Sequence, residues 1–219
     1  MSGDPVLGGT AVTLRDGTGG VEVLLVRRPD RGSFAGAWVF PGGVAEESDR
    51  TPETSEIEIA RRTAIRETEE EVGLRIRDLV PLSCWSPPPE APKRVRTWFF
   101  LTADAEGDLH SAAAEVVDAV WLTPGEALAR HAEGALSLFP PTWVTLHGLT
   151  GRGTAAEALA AAGEPARFRT RLRHAEKGLT SAGQVFLWEG DEEHPDSPGA
   201  VGARHRLETG AGPWRYVRD

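Results

Sequence analysis

The hydrophobic and polar positions of the chain alternate between strand-like and helix-like patterns. Strand-like runs precede or separate helical ones, and they cover residues 10–16, 21–29, 37–43, 77–86, 94–103 and 114–123. Helical patterns cover residues 55–72, 124–135, 140–150 and 154–163, and only strand-like runs follow residue 166. Because these elements show no regular βαβ rhythm, we expect an α/β (α+β) fold with a mixed β-sheet between helices and extra C-terminal strands.

The helix predicted between residues 55 and 72 has well-defined start and stop signals. Ser55 is followed three positions later by Glu58, as in a capping box, and Gly73 is placed to end the helix. At about 100° per residue, Thr68 and Val72 share one stripe with Ile65. We interpret this stripe as the face that packs on the core.

The same helix carries a dense group of acids. Glu67, Glu70 and Glu71 fall within one wedge of about 100°, whereas Glu69 points toward solvent. Like charges at this spacing repel each other, but carboxylate oxygens are the ligands that hard divalent cations prefer. The pattern therefore indicates a metal site, with Arg66 beside the wedge to orient Glu67.

Composition narrows the classes of partner. The 219 residues carry a formal net charge of -9, which argues against nucleic acid or an anionic membrane as the main partner. A phosphorylated substrate stays possible, since a divalent metal inverts the local charge. The single cysteine, Cys84, forms no intrachain disulfide and reads as a buried thiol, and we expect a cytoplasmic protein.

The sequence from Arg66 to Leu74, RETEEEVGL, fits the pattern R-E-U-x-E-E-x-G-U, where U is aliphatic. Seven residues separate Arg66 from Glu58, and the glycine turn FPGG ends at Gly43. This arrangement resembles the Nudix box, G-x5-E-x7-R-E-U-x-E-E-x-G-U, of the Nudix hydrolases. The resemblance predicts the Nudix fold, with the box at about residues 42–74.

Two positions depart from the box. Thr68 replaces an aliphatic residue, and its methyl group still packs. The glycine expected six residues before Glu58 is Pro52, so the loop after Gly43 is about nine residues longer than the pattern requires. A longer polar loop costs little, and either Gly42 or Gly43 is the glycine that lends its backbone to the site.

The resemblance implies a chemistry. Nudix hydrolases cleave a nucleoside diphosphate linked to another moiety X, using Mg²⁺ or Mn²⁺. By position, the metal site would comprise Glu67, Glu70, Glu71 and Gly43, and the structural supports would be Glu58, Arg66 and Gly73.

Many relatives add one more acid from outside the box, as a metal ligand or general base. Here Glu115 is the candidate, because it precedes Trp121 at a predicted loop-to-strand junction. Glu106 and Asp118 are alternatives.

The substrate is less determined than the chemistry. Residues 8–150 resemble the coenzyme A diphosphatase branch, most strongly over 24–74, although GSFAGAW lacks a histidine seen in many of its members. Phosphates could meet Arg27, Arg28, Arg94 or Arg96, and a base could stack on Trp38, Trp85 or Trp98 unless these belong to the core. The alternatives are an ADP-ribose, dinucleotide or nucleoside triphosphate pyrophosphatase, and a Nudix module that senses nucleotides without cleaving them.

We predict that residues 1–165 form the Nudix domain. Residues 166–219 lie outside the resemblance and form a β-rich extension, packed on the core or at a homodimer interface.

Overall fold

The computed structural model describes residues 5–31, 35–110, 116–173, 183–210 and 212–219. Nine strands come before the last three helices and five strands come after them, and the first helix lies between the fourth and fifth strands. In chain order the strands are β1 Val6–Gly17, β2 Gly20–Arg27, β3 Trp38–Val39, β4 Gly42–Val44, β5 Arg75–Arg77, β6 Val80–Ser86, β7 Val95–Thr102, β8 Asp104–Glu106, β9 Asp118–Leu122, β10 Ala166–Arg169, β11 Arg171–Arg173, β12 Val185–Leu187, β13 His205–Glu208 and β14 Arg215–Arg218.

The helices match the predicted segments closely. They are α1 Glu56–Val72, α2 Pro124–Ala132, α3 Pro140–Leu149 and α4 Ala155–Ala160, with a 3-10 turn at Glu47–Asp49. Helix α1 begins after Ser55, whose side chain accepts a hydrogen bond from the Glu58 amide, and it ends at Gly73 with φ +73°.

In the described residues the largest sheet contains eight strands and is mixed, which confirms the predicted fold class. Its order is β10-β6-β7-β1-β2-β3, with β4 paired to β1 and β9 paired to β2. Strand β1 runs parallel to β7 and antiparallel to β2 and β4. The short pair β5 and β8 forms a separate ribbon.

Alternation along β7 separates the two faces of this sheet. Trp98 and Phe100 pack with Ala60 of α1, whereas Phe99 and Leu101 pack with Trp143 of α3. Helix α1 therefore covers one face of the sheet, and α3 covers the other.

The chain after α4 continues the sheet and then leaves it. Strand β10 pairs in parallel with β6, and β11 to β14 form a second, antiparallel sheet. Trp188 and Leu207 of this part are fully buried in the same hydrophobic cluster as Trp85 and Trp143. The domain boundary at residue 165 stays a prediction.

Within the described ranges, no helix has the length and apolar character needed to span a membrane.

Candidate active site

The acids of α1 differ sharply in exposure. The side chain of Glu71 is wholly buried, that of Glu67 is 12% exposed and that of Glu70 is 55% exposed. Glu69 is exposed, as its position on the helix predicted. The three acids of the predicted wedge therefore run from the core out to the surface along one side of α1.

Glu71 is held from two directions. The guanidinium of Arg28, at the end of β2, forms an ion pair with its Oε1. The backbone N–H of Gly42 donates to its Oε2 at 3.0 Å. A buried carboxylate needs such partners, because without them burial disfavours its charged form.

The glycine turn allows the carboxylates to approach the backbone. Gly42 has φ +154°, and a Cβ there would lie 2.4 Å from the carbonyl oxygen of Gly9. A Cβ on Gly43 would lie 2.3 Å from the carboxyl carbon of Glu67. Consecutive glycines are thus needed to bring Glu67 and Glu71 against one turn.

Arg66 joins the remaining acids. Its Nη1 lies 3.0 Å from a carboxylate oxygen of Glu67 and 2.8 Å from one of Glu70. Its Nε and Nη2 donate to Asp49 at 3.2 and 3.0 Å, and Nη2 also reaches the carbonyl oxygen of Val44. One guanidinium therefore fixes two carboxylates of α1 and the loop that carries the glycine turn.

The structure places Asp49, not Glu58, against Arg66. Burial opposes the charged form of Asp49, but hydrogen bonds from Arg66, the Glu46 amide and Thr63 hold its pKa below the usual value. The same bond to Asp49 raises the pKa of Arg66. Glu58 instead pairs with Arg61 and Arg62 along the surface of α1.

The pairing of Asp49 with Arg66 places the loop insertion after Asp49, not before the first acid of the box as the sequence predicted. Asp49 lies six positions after Gly43, which is the spacing that the box requires of its first acid, so the nine additional residues fall between Asp49 and Arg66. The sequence alone did not reveal this alignment, because the box calls for Glu at the position of Asp49. The spacing of six positions between Gly43 and Asp49 was the signal for it.

The donor set suits a hard divalent cation, although it is not closed around one. Glu67 and Glu70 already converge on a single cationic nitrogen of Arg66, and Glu71 adjoins the same glycine turn. Across the described part of the chain, no group of three or more His, Cys, Asp or Glu side chains is arranged as a metal cage. Binding of a metal by all three acids requires Glu70 and Glu71 to turn away from their arginines.

The other predicted arginines lie in different surroundings. Arg96 forms an ion pair with Glu56 at 2.9 Å, next to the start of α1, and Arg94 is half-buried at the start of β7. Arg27 stands opposite Asp118 in the pairing of β2 with β9. Of the four candidates, Arg28 is the one that the structure brings to a wedge carboxylate.

The structure describes two of the three candidates for the acid from outside the box. Glu115 falls outside the described residues. Asp118 is exposed at the start of β9, one strand position from Arg28, whereas Glu106 pairs with Arg77 on the β5–β8 ribbon.

The aromatic and thiol candidates are largely structural. Trp85 and Trp98 are buried in the hydrophobic clusters, and Trp38 packs against one of them. Burial raises the pKa of the Cys84 thiol to about 11, so Cys84 is a core thiol rather than a nucleophile.

Comparison with known proteins assigns the family. The NUDIX domain family profile matches residues 7–140, which is more than half of the chain. The chain belongs to the NUDIX domain family. Among proteins with curated descriptions, none matches the sequence.

Solved structures agree with this assignment. A NUDIX hydrolase from Alicyclobacillus acidocaldarius is 26% identical, with a TM-score of 0.63 over 74% of this chain and 100% of that chain. A MutT NUDIX hydrolase from Burkholderia pseudomallei is 21% identical, with a TM-score of 0.53 over 68% and 100%. The NUDIX domain of Shewanella oneidensis NrtR, solved with ADP ribose, is 18% identical, with a TM-score of 0.52 over 66% and 86%.

The family match and the hydrolase from Alicyclobacillus acidocaldarius support a pyrophosphohydrolase. Enzymes of this family generally hydrolyse nucleoside diphosphate derivatives and use divalent metal ions. None of the comparisons supports the coenzyme A branch that the sequence suggested.

Proposed function

We propose that the protein hydrolyses the pyrophosphate bond of a nucleoside diphosphate linked to a second moiety X, in a reaction that requires Mg²⁺ or Mn²⁺. The observation that carries this proposal is the convergence of Glu67, Glu70 and Glu71 on one side of α1, beside the Gly42–Gly43 turn. Water forms a new P–O bond, the bridging P–O bond breaks, and the products are a nucleoside monophosphate and phosphorylated X.

Glu67, Glu70 and Glu71 would hold the metal. A bound divalent ion would neutralise charge on the phosphates and lower the pKa of a water molecule. The absence of a Cβ at Gly43 lets the carboxylate of Glu67 lie against the backbone there. Arg66, fixed by Asp49, positions Glu67 and Glu70 relative to that turn.

Arg28 has a second role in this proposal. If Glu71 held the metal, the guanidinium of Arg28 would remain beside the carboxylates at the end of β2 and could bind the diphosphate of the substrate. Arg27 and Asp118 lie next to it on paired strands, and Asp118 is a described candidate for the general base.

Coenzyme A, or an acyl derivative of it, is one candidate conjugate, supported by the sequence resemblance around residues 24–74. ADP-ribose is the other, supported by the relative that was solved with this ligand. Both contain an adenosine diphosphate unit linked to X, so the same carboxylates serve either.

A substrate panel tests the proposal. Coenzyme A, ADP-ribose, a dinucleotide and nucleoside triphosphates are incubated with Mg²⁺ or Mn²⁺, and the products are resolved by chromatography. Release of 3',5'-ADP and phosphopantetheine identifies coenzyme A, whereas AMP with ribose phosphate identifies ADP-ribose. Binding of these compounds with no cleavage under either metal would contradict the proposal and favour a sensing module.

A further inference from the structure

A cavity of about 220 Å³ lies on the side of the main sheet that α3 covers, away from α1 and its carboxylates. Its walls come from β6, β7, α3, α4, β10 and β14. The buried part of the lining is mostly apolar, with the polar side chains of Ser83 and Thr145 among apolar ones, namely Trp85, Leu101, Val144, Leu149, Ala158 and Phe168. Trp85 and Phe168 stack on each other with ring centroids 3.7 Å apart.

Most of this lining comes from residues beyond the family match. Residues 7–140 supply β6 and β7, whereas α3, α4, β10 and β14 are supplied by residues that continue to position 218. The C-terminal strands therefore complete a cavity that the matched domain alone would leave open.

Two arginines give the cavity a positive rim. Arg152 follows α3 and Arg218 lies on β14, and both line the cavity while remaining exposed. Across the described ranges, neither of them forms an ion pair, in contrast to Arg215 on the same strand, which pairs with Glu208 at 3.4 Å.

We propose that this cavity is a binding site for an amphipathic anion, with an apolar tail in the cavity and a carboxylate or phosphate group at Arg152 and Arg218. An apolar cavity of ~150 Å³ takes benzene, so this one has room for a tail of about eight carbon atoms. Burial of the tail supplies the affinity, and the arginines select a negatively charged head group.

Titration calorimetry with simple probes tests the proposal, with the tryptophan fluorescence of the protein as a second signal. Octanoate and octyl phosphate are expected to bind, and the tighter of the two identifies the head group. Octanol and inorganic phosphate, which each lack one half of the ligand, are expected to bind at least about fivefold more weakly. Equal binding of octanol, or of phosphate alone, would overturn the proposal.

The variants address the rim and the cavity separately. Arg152→Gln and Arg218→Gln should each weaken octanoate binding about threefold to fivefold, because exposed ion pairs contribute modestly. Arg215→Gln is the matched control, since Arg215 lies on the same strand outside the lining, and it should leave binding unchanged. Equal effects at Arg215 and Arg218 would contradict the assignment.

Gly148 offers a way to fill the cavity without disturbing the fold. It lines the cavity within α3, and a Cβ there would meet no atom of the described residues within 4 Å. Gly148→Leu should abolish octanoate binding, whereas Gly148→Ala controls for the gain in helix propensity. Thermal unfolding shows whether the Gly148→Leu protein is folded. Wild-type affinity for octanoate in the folded variant would contradict the proposal.

Discussion

Two fully buried carboxylates, Glu71 and Asp191, are both paired with an arginine, yet their surroundings differ in kind. Glu71 receives one guanidinium nitrogen of Arg28 and the amide of Gly42. Arg28 itself is 29% exposed, so water reaches the pair from one side.

Asp191 sits in a closed network. Arg206 donates to both of its oxygens, at 2.6 and 2.5 Å, and the amides of Glu193 and His205 each donate one further bond at 2.9 Å. The side chain of Arg206 is only 4% exposed. Burial opposes the charged carboxylate, but these bonds lower the pKa of Asp191 to about 2.

The difference separates a structural pair from a functional one. Every partner of Asp191 is internal, so the network fixes the 188–206 loop against β13 and offers nothing to a ligand. The partners of Glu71 lie at a strand end and a glycine turn with access to solvent, as the proposed metal role of Glu71 requires. Loss of charge should therefore affect stability at Asp191 and catalysis at Glu71.

The largest expected effect on stability is at Asp191. Asp191→Asn leaves the buried Arg206 without its principal partner and should lower the free energy of unfolding by about 3–5 kcal/mol, measured by urea denaturation. Asp196→Asn is the control, because Asp196 pairs with Arg171 at the surface of the same loop and should change the value by less than about 1 kcal/mol. Similar losses in the two variants would remove the distinction between closed and exposed pairs.

Glu71→Gln should act on catalysis instead. We expect kcat/KM to fall at least about a hundredfold with saturating Mg²⁺, since a metal ligand is lost. The loss of stability should be smaller than in Asp191→Asn, because Arg28 can be solvated. Steady-state kinetics and urea denaturation on the same preparation measure both quantities, and a stability loss with unchanged kcat/KM would reverse the assignment.

Asp49 and Glu58 form the next test, because Asp49 pairs with Arg66 whereas Glu58 pairs with arginines on the surface of α1. Asp49→Asn should destabilise the fold by about 2 kcal/mol, because Asp49 is buried and binds Arg66 through both oxygens. Glu58→Gln should stay within about 0.5 kcal/mol, as expected of a surface pair. A larger loss for Glu58→Gln than for Asp49→Asn would contradict the assignment of Asp49 as the first acid of the box.

The low pKa of Asp191 predicts the smallest effect, at acid pH. Its pKa is lowered in the folded state from 3.8 to about 2. Its contribution is therefore complete above pH 3.8 and is lost as the pH falls from 3.8 toward 2, amounting to about 2 kcal/mol. Urea denaturation between pH 5 and pH 2 should show this loss in the wild type but not in Asp191→Asn, and parallel curves would contradict it.

Local signals in the sequence predicted α1 and its acids well. Ser55 and Gly73 bound the helix through caps that act within a few residues, and helical periodicity places Glu67, Glu70 and Glu71 on one side. The family resemblance around Arg66 rests on the same local spacing and is confirmed by the domain match.

The contacts that the sequence did not reveal join distant or irregular segments. Asp49 and Arg66 are separated by nine residues more than the box prescribes, so the spacing counted back from Arg66 could not find the pair. Asp191 and Arg206 lie at the two ends of a turn-rich loop that has no hydrophobic period to predict burial. The role of Glu115, a homodimer, a cytoplasmic location and the domain boundary at residue 165 stay predictions.

Manganese binding to the purified protein tests the central claim most directly. Electron paramagnetic resonance of free Mn²⁺ gives the affinity of the wild type and of Glu67→Gln, Glu70→Gln and Glu71→Gln, with Glu69→Gln as the matched control on the same helix. We predict that each of the three weakens binding at least about tenfold, while Glu69→Gln leaves it unchanged. Unaltered Mn²⁺ binding in all three variants, or an equal loss in Glu69→Gln, would contradict the assignment of these carboxylates to the metal.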